Sequence, residues 1–255
     1  MKKKSNFYLI KYELLNCLYN GYSLFFGAIF PMLLFFLISQ SVVKDVPQDM
    51  RNQVKTVIFL GMSMMVPLAA IFLGHSSTYS NEIEKKIPIR LNLFGISYNR
   101  VFTAKLIANS IFLVFCLLIF CSSLFFIDIL KPTTSALLVW ILVLFVFAGF
   151  LMALAHGLAS IFKEFGKTYA VSMTIYFAIM ILGGMMGIRL SDLPPFLQKV
   201  SRYLPTTQMS EYYIDFWAGK SYNAAPLIQS MLFFGSICVI VLLISFRVNR
   251  RKNSI

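Results

Sequence analysis

"SALLVWILVLFVFAGFLMALAHGLASIF" occupies residues 135–162 and contains no Asp, Glu, Lys or Arg. A core helix of a soluble domain is apolar along one stripe only, whereas roughly 20 continuously apolar residues carry a helix across a hydrocarbon layer of about 30 Å. This stretch therefore reads as a membrane span. Five more windows of the same kind lie near 23–43, 54–79, 106–127, 169–188 and 226–246. Barrel strands would alternate polar and apolar residues in segments of about ten, so helices are the choice here. The expected fold is an all-α integral membrane protein, one domain over 1–255.

Composition points the same way. Of 255 residues 58% are hydrophobic and 13% charged, with 26 phenylalanines and a mean hydropathy of +0.76, outside the range of soluble domains. Ser39 and Ser41 imitate a leader cleavage site, but the basic region before the first apolar run is too long, so that span is expected to be retained.

The net charge of +13 is unevenly placed. Fifteen Lys and Arg fall on the side of the two chain ends and eight on the other, and that puts both termini in the cytoplasm by the positive-inside rule. The basic balance is thus a topological signal and an attraction to anionic membrane lipid; no nucleic-acid partner is expected. Residues 1–22 read as an interfacial helix. Phe7, Ile10, Leu14 and Leu18 recur at helical spacing, Glu13, Asn16 and Asn20 share another face, and Lys2, Lys3 and Lys4 meet the headgroups. The segment 189–225 carries a Pro-Pro helix start and the aromatics Tyr212, Tyr213, Phe216 and Trp217, the pattern of short helices dipping into the outer leaflet.

Chemistry is scarce inside the spans, where ionisable groups normally mark function. His75 and His156 have no carboxylate at ligand spacing, so no metal site is expected, and a neutral imidazole bonded to a neighbouring helix is the ordinary role. Asp128 ends the third window as a solvated carboxylate. Cys17, Cys116, Cys121 and Cys238 form no disulfide or metal pattern and read as small buried hydrophobes. Gly166, Lys167 and Thr168 imitate the end of a phosphate-binding loop, but Ile161 stands where its first glycine belongs. No catalytic residue is assigned. Gly149, Ala153 and Gly157, and likewise Gly183 and Gly187, recur every four residues as helix-packing faces, within the chain or at a dimer seam. Pro31 and Pro67 should kink the first two spans.

One charged segment, 80–105, separates the second and third windows. Within it "EIEKKIPIRLNLFGISYNRVFTAKLIA" (82–108) has an acid at Glu84, a helix through Arg90 and Leu91, a turn at Gly95, Ile96 and Ser97, and a lysine at Lys105. With "YLPTTQMSEYY" (203–213), where Leu204 and Pro205 stand in the recurrent positions, and the order of the spans, it resembles permease subunits of type-2 ATP-binding-cassette (ABC) exporters. The resemblance implies a bacterial cell-membrane protein without its own ATPase. Two permease subunits, identical or different, would pair with two ATPase subunits, which would hold the ATP and magnesium; no cofactor is expected in this chain. It further implies that 80–105 is a cytoplasmic coupling helix gripped by the ATPase. Its composition suits a small interface, with an apolar anchor of Ile87, Ile89, Leu91, Leu93 and Phe94 and a charged rim of Glu82, Glu84, Lys85, Lys86 and Arg90. The expected cargo is amphipathic, such as a drug, peptide antibiotic or lipid-linked molecule, with a glycan or teichoic-acid-type polymer as the alternative. Readings of another class are a lipid-modifying enzyme using His75 or His156, and a non-transporting anchor.

Overall fold

The computed structural model describes residues 2–185 and 190–252, and every regular element among them is helical. In chain order they are α1 (Lys2–Leu18), α2 (Gly21–Val42), α3 (Arg51–Glu84), α4 (Ile87–Leu93), α5 (Tyr98–Phe125), α6 (Thr134–Phe162), α7 (Phe165–Leu182), α8 (Pro195–Ser201), α9 (205–217) and α10 (Ala225–Lys252). Among the described residues six helices, α2, α3, α5, α6, α7 and α10, are long and apolar enough to cross a membrane.

The bundle is built around α3. Every residue from Phe59 to Ser77 is buried, whereas the other spans keep one side exposed. A helix enclosed on all sides must be apolar or small all round, and "GMSMMVPLAAIFLGHSS" (61–77) is. The helix also extends to Glu84, one turn and more beyond the window at 54–79, because its polar last turns lie against other helices rather than in water.

A widened turn adjoins each of the two prolines expected to kink the spans. Pro31 follows a π-helical turn at Phe25–Ile29, and Pro67 precedes one at Leu68–Leu73. A proline has no N–H for the regular ladder and its ring crowds the carbonyl four residues back, so the looser turn before Pro31 relieves it; the widened turn after Pro67 lies on the other side of that proline and does not. The two widened turns meet, and the Ser23 hydroxyl donates to the Ala70 carbonyl at 3.1 Å. Gly27 makes that approach fit. A Cβ there would lie 2.8 Å from the Ala70 Cβ and 2.9 Å from its Cα. Gly27→Ala should therefore cost about 1–3 kcal/mol by overpacking, read as a lower melting temperature in detergent. Gly149→Ala should melt like the parent, since nothing lies within 4 Å of its added methyl.

The glycine stripes are divided by the packing. Gly157 seats Val241 and Leu242 of α10, while the exposed Gly149 meets nothing. Gly183 faces Thr206 of α9, and Gly187 lies outside the described residues. The segment expected to dip into the outer leaflet packs into the bundle: residues 205–210 are all buried against α3 and the end of α7. Ser210 donates to the Gly183 carbonyl, Tyr213 to Ala136 and the Trp217 indole to Leu130, while the buried Thr206 hydroxyl has no hydrogen-bond partner among the described residues.

The polar face of α1 does not point to water. Asn16 bonds Glu82 at 3.0 Å, Asn20 bonds Ser77 at 2.9 Å and Glu13 reaches Lys105, so this face is stitched to α3 and α5. Phe7 and Tyr8 are on the outside instead, each 65% exposed.

Candidate functional site

The charged segment forms two turns and one short helix. After Glu84 the chain reverses through Lys86 at φ 57°, and α4 begins with Pro88 in its first turn, where a missing N–H costs nothing. At the other end Gly95 adopts φ +81°. Ile96 N–H then bonds the Leu91 carbonyl at 3.0 Å and Gly95 N–H bonds Asn92 at 2.9 Å, the paired closure of a left-handed helix end. A proline could not supply that φ or that N–H. Ser97 is extended and starts α5.

No residue of α4 is buried. The supposed anchor divides: Ile87 and Leu91 are half-buried, whereas Ile89, Leu93 and Phe94 are 53%, 81% and 83% exposed. Lys85, Lys86 and Arg90 are exposed around them. Two large apolar side chains thus stand out from a helix whose ends are fixed by backbone hydrogen bonds.

The two glutamates of the supposed rim have different places. Glu84 is exposed, and its Oε2 accepts the backbone N–H of Phe165 at 2.8 Å, a charge-assisted cap on the first turn of α7. Glu82 is 5% exposed and turned into the bundle, so it does not share the open face with Lys85, Lys86 and Arg90. There Lys105 Nζ lies 2.7 Å from both Glu82 Oε1 and Glu13 Oε2. One ammonium thus joins α1, α3 and α5 directly behind α4. Burial holds the Glu13 carboxyl above its ordinary range, and the like charge of Glu82 adds to this while Lys105 opposes it.

The cluster continues inward. Lys105 sits 5.9 Å from the Tyr79 ring centroid, and Tyr79 stacks on His156 with centroids 4.3 Å apart. His75 Nε2 and His156 Nδ1 are 3.4 Å apart, which joins α3 to α6. Among the described residues no group of three His, Cys, Asp or Glu could hold a metal ion. Among the described residues the histidines have aromatic and imidazole neighbours, and no hydrogen bond joins either to a carboxylate.

Sequence reasoning did not assign a role to Glu13 or Tyr79, and it treated Lys105 only as a motif position. A signal was there: Lys105 begins an apolar run that a solvated lysine would avoid, and Glu13 shares a face with Asn16 and Asn20. A polar face on an otherwise interfacial helix needs polar partners, and only the packed bundle says which.

A central buried span within a bundle that has, among the described residues, six helices long and apolar enough to cross a membrane defines a polytopic membrane protein, with one short exposed helix held at both ends by backbone hydrogen bonds. A family model described as ABC-2 family transporter protein matches residues 39–247. The chain belongs to that family, whose members are transmembrane subunits lacking an ATPase domain and generally pair with ATPase subunits. No curated protein and no solved structure matches it.

Proposed function

We propose that this chain is the permease of an exporter for an amphipathic molecule, with both termini cytoplasmic and α4 seated in a groove of a separately encoded ATPase. The observation that carries the reading is the exposure of Leu93 and Phe94 on a helix held at both ends. Water gains nothing from such a pair, and lipid does not extend to charged loops bearing Lys85, Lys86 and Arg90. ATP-driven closure of two ATPase subunits would push α4. The ion cluster of Glu82, Lys105 and Glu13 passes that displacement to α3, α5 and α1 together, and Glu84 passes it to α7. Because α3 is enclosed by the other helices, its tilt must move them.

An amphipathic cargo is supported by a cavity of ≈ 330 Å³ beside the outer half of α3, where Val57, Ile58 and Met62 face Gln53, Ser210 and Glu211. The test is co-purification. The tagged chain, gently solubilised after co-expression with the ATPase encoded beside it, should carry that ATPase through two columns and support ATP-dependent efflux in vesicles. A chain that recruits no ATPase contradicts the reading.

A further inference from the structure

Among the described residues two non-glycine positions have positive φ, Lys86 at 57° and Lys163 at 58°, and they line the same cavity. Each follows a helix, α3 and α6, at a position where glycine or asparagine is the usual choice because a Cβ is disfavoured. A cation at a helix C-terminus complements the helix dipole, which accounts for one positive charge at each end. It does not account for both converging on one cavity of ≈ 250 Å³, together with Tyr79, Tyr98, Ser160 and Asn249. Nor does it account for Asn249, whose Oδ1 is buried there without a hydrogen-bond partner among the described residues.

The level of the cavity identifies the ligand's source. Lys163 directly follows the last residue of the α6 span, and Asn249 lies three residues past Phe246, where the apolar run of α10 gives way to Arg247, so the apolar runs stop close to this cavity. Phe102, one helical turn along α5 from the lining residue Tyr98, is 42% exposed and offers an apolar surface on the same side of the helix. We infer that the cavity formed by Lys86, Lys163, Tyr98 and Asn249 binds the headgroup of an anionic phospholipid bearing hydroxyls, such as phosphatidylglycerol. The phosphate takes the two ammonium groups, a headgroup hydroxyl donates to Asn249 Oδ1, and an acyl chain follows Phe102. Since Lys86 is the residue that turns α3 into α4, an occupied site ties the exposed helix to the ends of α6 and α10.

The purified chain in neutral detergent is titrated with short-chain phosphatidylglycerol, phosphatidylcholine or phosphatidic acid, or with sn-glycerol 3-phosphate, while its melting temperature is followed. Phosphatidylglycerol should raise it saturably, by about 5 °C, and phosphatidylcholine and glycerol 3-phosphate should not. Lys86→Asn with Lys163→Asn should lose most of that rise while melting like the parent without lipid, because asparagine tolerates positive φ. Lys167→Asn, which removes the same charge from the exposed first turn of α7, should keep it. Asn249→Leu retains both lysines and should lose only the preference for phosphatidylglycerol over phosphatidic acid, which has no headgroup hydroxyl. An equal loss in Lys167→Asn, an equal rise with phosphatidylcholine, or a full rise with glycerol 3-phosphate would overturn the assignment, the last because it identifies a soluble anion. If the double variant does not fold, the comparison of Asn249→Leu with the parent decides.

Discussion

Lys105→Met should be among the most damaging single substitutions in the chain. The ammonium is 3% exposed and lies 2.7 Å from two carboxylates that are themselves almost wholly buried. Removing it leaves two like charges facing each other out of water, a situation that costs about 3–5 kcal/mol when one partner of a buried pair is deleted. For a domain of this size that is about a 10 °C fall in melting temperature. Methionine matches the length of the lysine stem, so lost packing contributes little. The control is the triple variant Lys105→Met, Glu13→Gln, Glu82→Gln, which removes every charge and should recover most of the loss. A Lys105→Met protein that melts within about 2 °C of the parent would mean that the cluster does not hold the three helices together.

The same cluster gives a pH dependence whose sign is fixed by Glu13. Its carboxyl is held above the ordinary 4.5, so the folded chain retains a proton that the unfolded chain releases. The contribution is complete below 4.5 and is lost as pH rises through the folded value. Glu13→Gln has no such proton to lose. Its melting temperature should therefore gain on the parent's as pH is raised above 4.5, and a constant difference would contradict the assignment.

Replacing Leu93 and Phe94 with serine should have the largest functional effect. Both side chains are more than four-fifths exposed, so the isolated subunit loses almost no packing and should insert and melt like the parent. At an interface the same side chains become the desolvated centre. Truncating an aromatic anchor of that kind costs about 2–4 kcal/mol, or a roughly thirty-fold or greater loss of affinity. Co-purified ATPase and efflux should fall together. Arg90→Ser, at the exposed rim, should cost less than either apolar truncation. Undiminished ATPase recovery from the Leu93→Ser, Phe94→Ser protein would remove α4 as the anchor.

The spans were legible in the sequence because a hydrocarbon layer selects for one property, apolar length, and that is a local quantity. The rank of the spans was not. α3 differs from α2 or α5 in being rich in Gly, Ala, Ser and Met, residues that also occur on one-sided spans, so its central place follows only from how six helices share one volume. The charged segment was legible as a segment and not as two surfaces. Glu82 and Glu84 are two residues apart, which on a helix sends their side chains in different directions: Glu84 reaches α7, and Glu82 turns inward to a lysine 23 positions away. The closure at Gly95 was present in the sequence as a glycine at the expected turn, and its φ of +81° is one that glycine adopts without strain.

The claim that α4 is the seat of an ATPase is tested most directly at position 94. A photo-crosslinking amino acid replaces Phe94, and separately Phe126, which is 76% exposed at the far end of α5 beyond the apolar run. Cells co-expressing the neighbouring ATPase are irradiated and the adducts sized. The account predicts an adduct of the permease with the ATPase from position 94 and none from 126. An adduct from 126, or lipid alone at 94, would contradict it.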